Sequence, residues 1–214
     1  MKKKVLFLTG TRADFGKLKS LIRILCDSKY FHVDIFATGM HMDRYHGYTV
    51  VEIEKSGFSN IFKYTNYESE SSMELVLAKT IEGLSQYIKQ NKPDLIILHG
   101  DRVEALAGAI VGSLNNILVA HVEGGEVSGT VDELLRHAVS KLSHLHFVAN
   151  ESAEKRLIQM GENKKYIFQI GSPDIDVMLS PDLPSISEVL DYYSVPFREY
   201  AILAFHPVTT EVNH

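Results

Sequence analysis

Short runs of apolar, mostly β-branched residues alternate along this chain with longer stretches whose apolar positions recur at helical spacing. Residues 5–9, 33–38, 61–64, 95–99, 117–121, 145–148 and 167–170 predict strands. Most of these runs lack polar alternation, which is the pattern of strands buried on both faces of a sheet. Between them, Met73, Leu77, Ile81, Leu84 and Ile88 mark a helix, with Ser71 and Glu74 spaced as a capping box and Pro93 just beyond its end. Another helix is expected after Asn150 as N-cap, with Glu151 and Glu154 in its first turn and Gly161 as a left-handed stop. Strand and helix in alternation predict an α/β fold, a doubly wound parallel sheet of Rossmann-like type.

The texture changes after Gly171. Pro173, Pro181, Pro184 and Pro196 punctuate a stretch in which only residues 185–193 read as a helix. The expected organisation is therefore a Rossmann-like domain over 1–171, a linker with short helices over 172–198, and over 199–214 the opening strand of a second unit. That strand would run from 200 to 205 and turn at His206 and Pro207.

Composition narrows the class. The chain has 214 residues, 45% hydrophobic and 23% charged, with a formal net charge of -5. It can bury a real core, and its mixed charges exclude the clustered Lys and Arg of a nucleic-acid footprint. Lys2, Lys3 and Lys4 precede an apolar run too short for a signal peptide, and no membrane span is expected. A single cysteine, Cys26, cannot form an internal disulfide; set among Leu21, Ile22, Ile24 and Leu25, it is expected to be buried, in a reducing cytoplasm.

In open parallel sheets the ligand crevice lies outside the carboxyl ends of the strands. The first strand runs into Gly10, Thr11, Arg12, Ala13, Asp14, Phe15, Gly16 and Lys17, a turn whose backbone N–H groups and two cations suit phosphate. It lacks the glycine spacing of a dinucleotide fingerprint, and Leu18 stands where a Walker A loop needs a hydroxyl. A plain glycine turn with two solvated cations is the competing reading. Asp101 and Glu123 follow what should be neighbouring strands, and Asp132 and Glu133 follow a loop containing Gly124, Gly125 and Gly129. Singly, Asp101 reads as an N-cap and Asp132 as a first-turn acid; together, three acids at successive strand ends read as an acid/base site, because repulsion and burial separate their pKa values. His144 and His146 would share one side of a strand, but no third ligand at metal spacing accompanies them, so no metal is expected. His99 and His121 are expected to shape the site.

These motifs carry a specific resemblance. The run Gly10-Thr11-Arg12-Ala13-Asp14 with Lys17, His99-Gly100-Asp101-Arg102, the stretch from His121 through Glu133 and on to Arg136, His137 and His144, Gly171-Ser172-Pro173, and His206-Pro207 with Thr209, Thr210 and Glu211 resemble the hydrolysing UDP-N-acetylglucosamine 2-epimerases that supply N-acetylmannosamine for sialic-acid-type sugars. The resemblance implies the two-domain glycosyltransferase-B architecture, a nucleotide sugar in the cleft between the domains, a homodimer, and no cofactor. It implies elimination of UDP across C1 and C2 to 2-acetamidoglucal, then hydration with inverted C2. It assigns catalysis to Asp101, Glu123, Asp132 and His206, and substrate binding to Arg12, Lys17 and Arg136, leaving open which acid serves which step, UDP against GDP, and which amino sugar. A chain ending at His214 is expected to have weak or no activity and an apolar seam around its last strand. The competing readings are a catalytically silent nucleotide-sugar-binding fragment and a glycosyltransferase of the same architecture.

Overall fold

A computed structural model of the protein describes residues 2–66, 72–181, 183–197 and 199–204. In chain order its elements are β1 (Lys3–Thr9), α1 (Arg12–Cys26), β2 (Phe31–Ala37), α2 (Val50–Lys55), β3 (Ile61–Lys63), α3 (Met73–Asn91), β4 (Leu95–His99), α4 (Val103–Leu114), β5 (Leu118–Val122), α5 (Val131–Lys141), β6 (Leu145–Val148), α6 (Glu151–Gln159), β7 (Ile167–Gln169), α7 (Asp174–Met178) and α8 (Ile186–Tyr192). The strands form one parallel sheet in the order β3-β2-β1-β4-β5-β6-β7. This is the doubly wound α/β arrangement expected from the sequence. Its order reverses between β1 and β4, which opens a crevice at their carboxyl ends.

The unbroken apolar strands are explained by a core on each face. Val5 and Phe7 of β1 pack with Phe15, Leu18 and Ile22 of α1. Their alternates, Leu6 and Leu8, pack with Leu84 and Ile88 of α3 and Ala105, Ala109 and Val111 of α4. Successive side chains of a strand point to opposite faces, so a run that feeds both cores must be apolar at every position. Burying each large side chain stabilises the fold by about 1.5–3 kcal/mol, and β1 does so on both sides.

Local chemistry sets the element ends. β5 starts one residue later than the apolar run because the Ile117 amide turns back to donate to the Gly112 carbonyl, closing the exit of α4. Asn150 caps α6 by accepting from the Ala153 amide, and Gly161 follows with φ +92°. For α3 the N-cap is Ser72, whose hydroxyl binds Glu74, while Ser71 lies outside the described residues. Ser185 and Glu188 form a reciprocal capping box on α8.

Two expectations are corrected. Cys26 is exposed, because the buried stripe of α1 runs Phe15, Leu18, Ile22 and on to the partly buried Leu25, leaving Cys26 as the last, outward residue of the helix. Residues 200–204 are exposed and without regular structure; a strand needs a hydrogen-bonding neighbour, and none pairs with them among the described residues. Phe205 and His206 lie outside the described residues. One compact unit runs past Gly171 to Leu179, and residues from Ser180 onward group separately. No helix among the described residues is long and apolar enough to cross a membrane.

Candidate active site

The crevice is built from the exits of β1, β4 and β5. At β1 the chain passes Thr9 and Gly10 into α1, with Thr11 as N-cap and Asp14 completing a capping box. The buried Asp14 carboxylate accepts from the Gly10 amide at 3.0 Å, from the Thr11 amide at 3.1 Å, and from the Thr9 hydroxyl. The amides expected to cradle phosphate are thus already bound by an acid of their own loop. Burial nevertheless pushes the Asp14 pKa up, against the lowering by these hydrogen bonds. Beneath it His41 is fully buried, with Nε2 3.0 Å from the Thr9 hydroxyl and Nδ1 2.8 Å from that of Thr49. Burial pushes its pKa down to about 4, so the ring is neutral. Arg12, the first residue of α1, is exposed and remains the loop's outward cation.

Glu123 sits just past β5 in the left-handed backbone conformation, φ +59°. For a residue with a Cβ this costs on the order of 1 kcal/mol, and its surroundings hold it there. Lys17 Nζ lies 3.0 and 2.9 Å from the two carboxylate oxygens, His99 Nε2 lies 2.9 Å from Oε2, and the Ser172 hydroxyl donates to Oε1 at 2.7 Å. Burial alone would raise the Glu123 pKa; the hydrogen bonds from His99, Lys17 and Ser172 outweigh it and bring it down to about 2. Lys17 also pairs with Asp174 of α7 at 2.7 Å. Burial disfavours its charge, yet Asp174 and Glu123 raise its pKa above the usual value. In this arrangement Lys17 holds Glu123 and Asp174, where the sequence assigned it to phosphate.

Asp101 and Glu123 do leave adjacent strands, since His99 of β4 is in register with Val122 of β5. Asp101 is not an N-cap: Arg102 occupies that place. Its carboxylate pairs instead with the buried guanidinium of Arg136, which also donates to the Glu126 carbonyl at 3.2 Å and reaches the Ser128 hydroxyl at 3.4 Å. Arg136 therefore clamps α5 and the glycine-rich loop onto Asp101. Asp132, exposed in the first turn of α5, accepts from the Thr130 hydroxyl at 3.1 Å. Glu133 accepts from the Ser128 and Gly129 amides, both at 2.8 Å, and closes the loop. No hydrogen bond or ion pair among the described residues joins Asp101, Glu123 and Asp132 to one another. Arg136 ties Asp101 to α5, the helix that carries Asp132, and His99 ties Glu123 to β4, two residues before Asp101.

A profile of the family described as UDP-N-acetylglucosamine 2-epimerase matches residues 23–214. The chain belongs to that family. It is 49% identical over 211 residues to a UDP-N-acetylglucosamine 2-epimerase of Neisseria meningitidis, covering 99% of this chain and 56% of that protein. It is 40% identical over 217 residues to a hydrolysing UDP-N,N'-diacetylbacillosamine 2-epimerase of Legionella pneumophila, covering 100% of this chain and 58% of that protein. Its fold matches a crystal structure of a Neisseria meningitidis UDP-GlcNAc 2-epimerase bound to UDP-GlcNAc with a TM-score of 0.80 at 21% identity, over 91% of this chain and 53% of that one. The chain thus spans about half the length of these epimerases.

Sequence reasoning passed over one pair at the switch point of this epimerase-family fold. Glu104 of α4 is buried, with Oε2 3.1 Å from Arg102 Nε and with Oε1 lacking a hydrogen-bond partner among the described residues. Its carboxylate packs so tightly beneath the exits of β1 and β2 that a Cβ on Gly39 would stand 2.5 Å from Oε1 and 2.7 Å from the Gly10 carbonyl oxygen. Arg102 is thereby anchored through Nε at the crevice. The signal was in the sequence: Glu104 is the one charged residue in the helix VEALAGAIVGSL. A first-turn acid was easily passed over as a dipole partner.

Proposed function

We propose that the protein is a hydrolysing 2-epimerase that converts UDP-N-acetylglucosamine and water to UDP and N-acetylmannosamine, for sialic-acid-type sugar biosynthesis in the cytoplasm. It works as a homodimer with a second Rossmann-like domain of the glycosyltransferase-B kind, entered near residue 199, and needs no metal or nicotinamide. Its relatives' activities and their bound nucleotide sugar support this reading.

The observation that carries it is the Glu123 carboxylate, kept ionised by its three donors beside the exit carrying Asp101. In the first half-reaction the C1–O bond to the diphosphate breaks, positive charge grows at C1, and the C2 proton leaves to a base. A carboxylate held at about pKa 2 is a poor proton acceptor but a lasting negative charge, so Glu123 stabilises the charge at C1. Asp132, exposed at the start of α5, takes or returns the C2 proton. Asp101, set by Arg136, is the second acid/base group that hydration requires: water gives its hydroxyl to C1 while a proton reaches C2 from the opposite face. Arg12 and Arg102 steady the diphosphate as it leaves, and His206 is the further catalytic residue that the family pattern assigns.

The test is turnover by the protein expressed from its complete reading frame. Incubation with UDP-N-acetylglucosamine in deuterated water is expected to release UDP and give N-acetylmannosamine carrying deuterium at C2. Product without label at C2, or sugar transfer to an acceptor, overturns the reading.

A further inference from the structure

His121 lies in β5 two positions before Glu123, fully buried. Its Nε2 stands 2.7 Å from the Gly100 carbonyl oxygen and its Nδ1 stands 3.0 Å from the Ser140 hydroxyl. The partners fix the tautomer. A carbonyl only accepts, so the hydrogen is on Nε2; the Nδ1 lone pair then accepts the hydroxyl hydrogen of Ser140. Burial pushes the His121 pKa down to about 3 against the raising effect of the Gly100 bond, and His99 of β4, His146 of β6 and Arg136 of α5 further disfavour a charge on the ring.

The two ends of this imidazole reach both sides of the site. Gly100 separates His99, which binds Glu123, from Asp101, which binds Arg136. Ser140 lies one turn beyond Arg136 in α5, the helix whose first turn carries Asp132. The Gly124 backbone seals the junction from above, where a Cβ would stand 2.7 Å from His121 Nδ1 and 2.8 Å from Ser140 Oγ. Positioning three acids about one sugar ring demands such a fixed reference, because a misplacement of about 1 Å costs about 10²-fold in rate.

We propose that His121 and Ser140 are positioning residues, a neutral strut that locks the Gly100 backbone to α5 and so sets the spacing of Asp101, Glu123 and Asp132. This rests on the epimerase reading and names what holds its acids in register. Neither residue touches the reacting atoms. Their loss therefore acts on the coupling of the two half-reactions more than on substrate binding.

The test compares Ser140→Ala, His121→Ala and His121→Gln in the complete protein, following UDP release, KM for UDP-N-acetylglucosamine, and the share of 2-acetamidoglucal released before hydration. Ser140→Ala is expected to lower kcat about tenfold and His121→Ala about 10²-fold, with KM changed less than about threefold and a larger share of glucal released. His121→Gln, whose amide can still donate to Gly100, recovers at least half of the loss on a logarithmic scale. Long-range proton–nitrogen NMR of the wild-type imidazole is expected to show the Nε2–H tautomer without titration from pH 5 to 9, and that readout survives if a variant fails to fold. Variants whose kcat falls only in step with Tm, with an unchanged share of glucal, overturn the positioning role. So does an imidazole that titrates near pH 6.5 or carries its hydrogen on Nδ1. Absence of turnover by the wild type refutes the epimerase reading itself, whereas a working wild type with insensitive variants refutes only the strut.

Discussion

The exit of β5 and the entrance of α5 present two carboxylates in opposite physical settings. Glu123 is over-determined, with a left-handed backbone and contacts to Lys17, His99 and Ser172. Asp132 is exposed, with Thr130 as its one hydrogen-bond partner among the described residues. The difference teaches that acids of one motif need not share a task. A carboxylate with both oxygens held by donors, as in Glu123, serves as a fixed charge, and one that keeps an oxygen open, as Asp132 and Asp101 do, can exchange a proton with what binds there.

Substitution can break this contrast. The largest expected effect is on Asp132: Asp132→Asn should lower kcat about 10³-fold, since an amide cannot exchange the C2 proton. Glu123→Gln should lower kcat less, about 10²-fold, because only a stabilising charge is lost. Steady-state kinetics across pH measure both, and the reverse ranking would exchange the two roles. A smaller effect concerns stability. The Glu123 pKa is depressed in the folded protein to about 2 from 4.5, so its contribution is complete above about pH 4.5 and is lost as pH falls toward 2. Thermal melting should show the wild type losing about 2 kcal/mol more than Glu123→Gln between about pH 5 and 3. Equal acid sensitivity would mean that the three donors do not hold the ion.

Much of this was legible in the sequence, and the failures have a common cause. The strands could be read because β1, β4 and β5 feed both cores and carry uninterrupted apolar runs. Adjacency of Asp101 and Glu123 followed from the order of strands. What could not be read was the partner of each charge. Lys17 turned to Glu123 and Asp174, and Asp14 took the Gly10 and Thr11 amides, because these pairings join residues brought together by folding or by a cap. Cys26 misled because a helical stripe ends where its helix ends. Residues 200–204 showed strand composition without a strand, since pairing depends on a neighbour that composition does not reveal.

The central claim is that Asp101, Glu123 and Asp132 close on one sugar ring although no hydrogen bond or ion pair joins them to one another among the described residues. A crystal structure of the complete protein with UDP-N-acetylglucosamine bound tests it most directly. The account predicts the amino sugar at the carboxyl edge of β4 and β5, with a Glu123 oxygen within about 4 Å of C1 and Asp132 and Asp101 oxygens within about 4 Å of C2 on opposite faces. A sugar bound away from that edge, or reached by only one of the three acids, would contradict it.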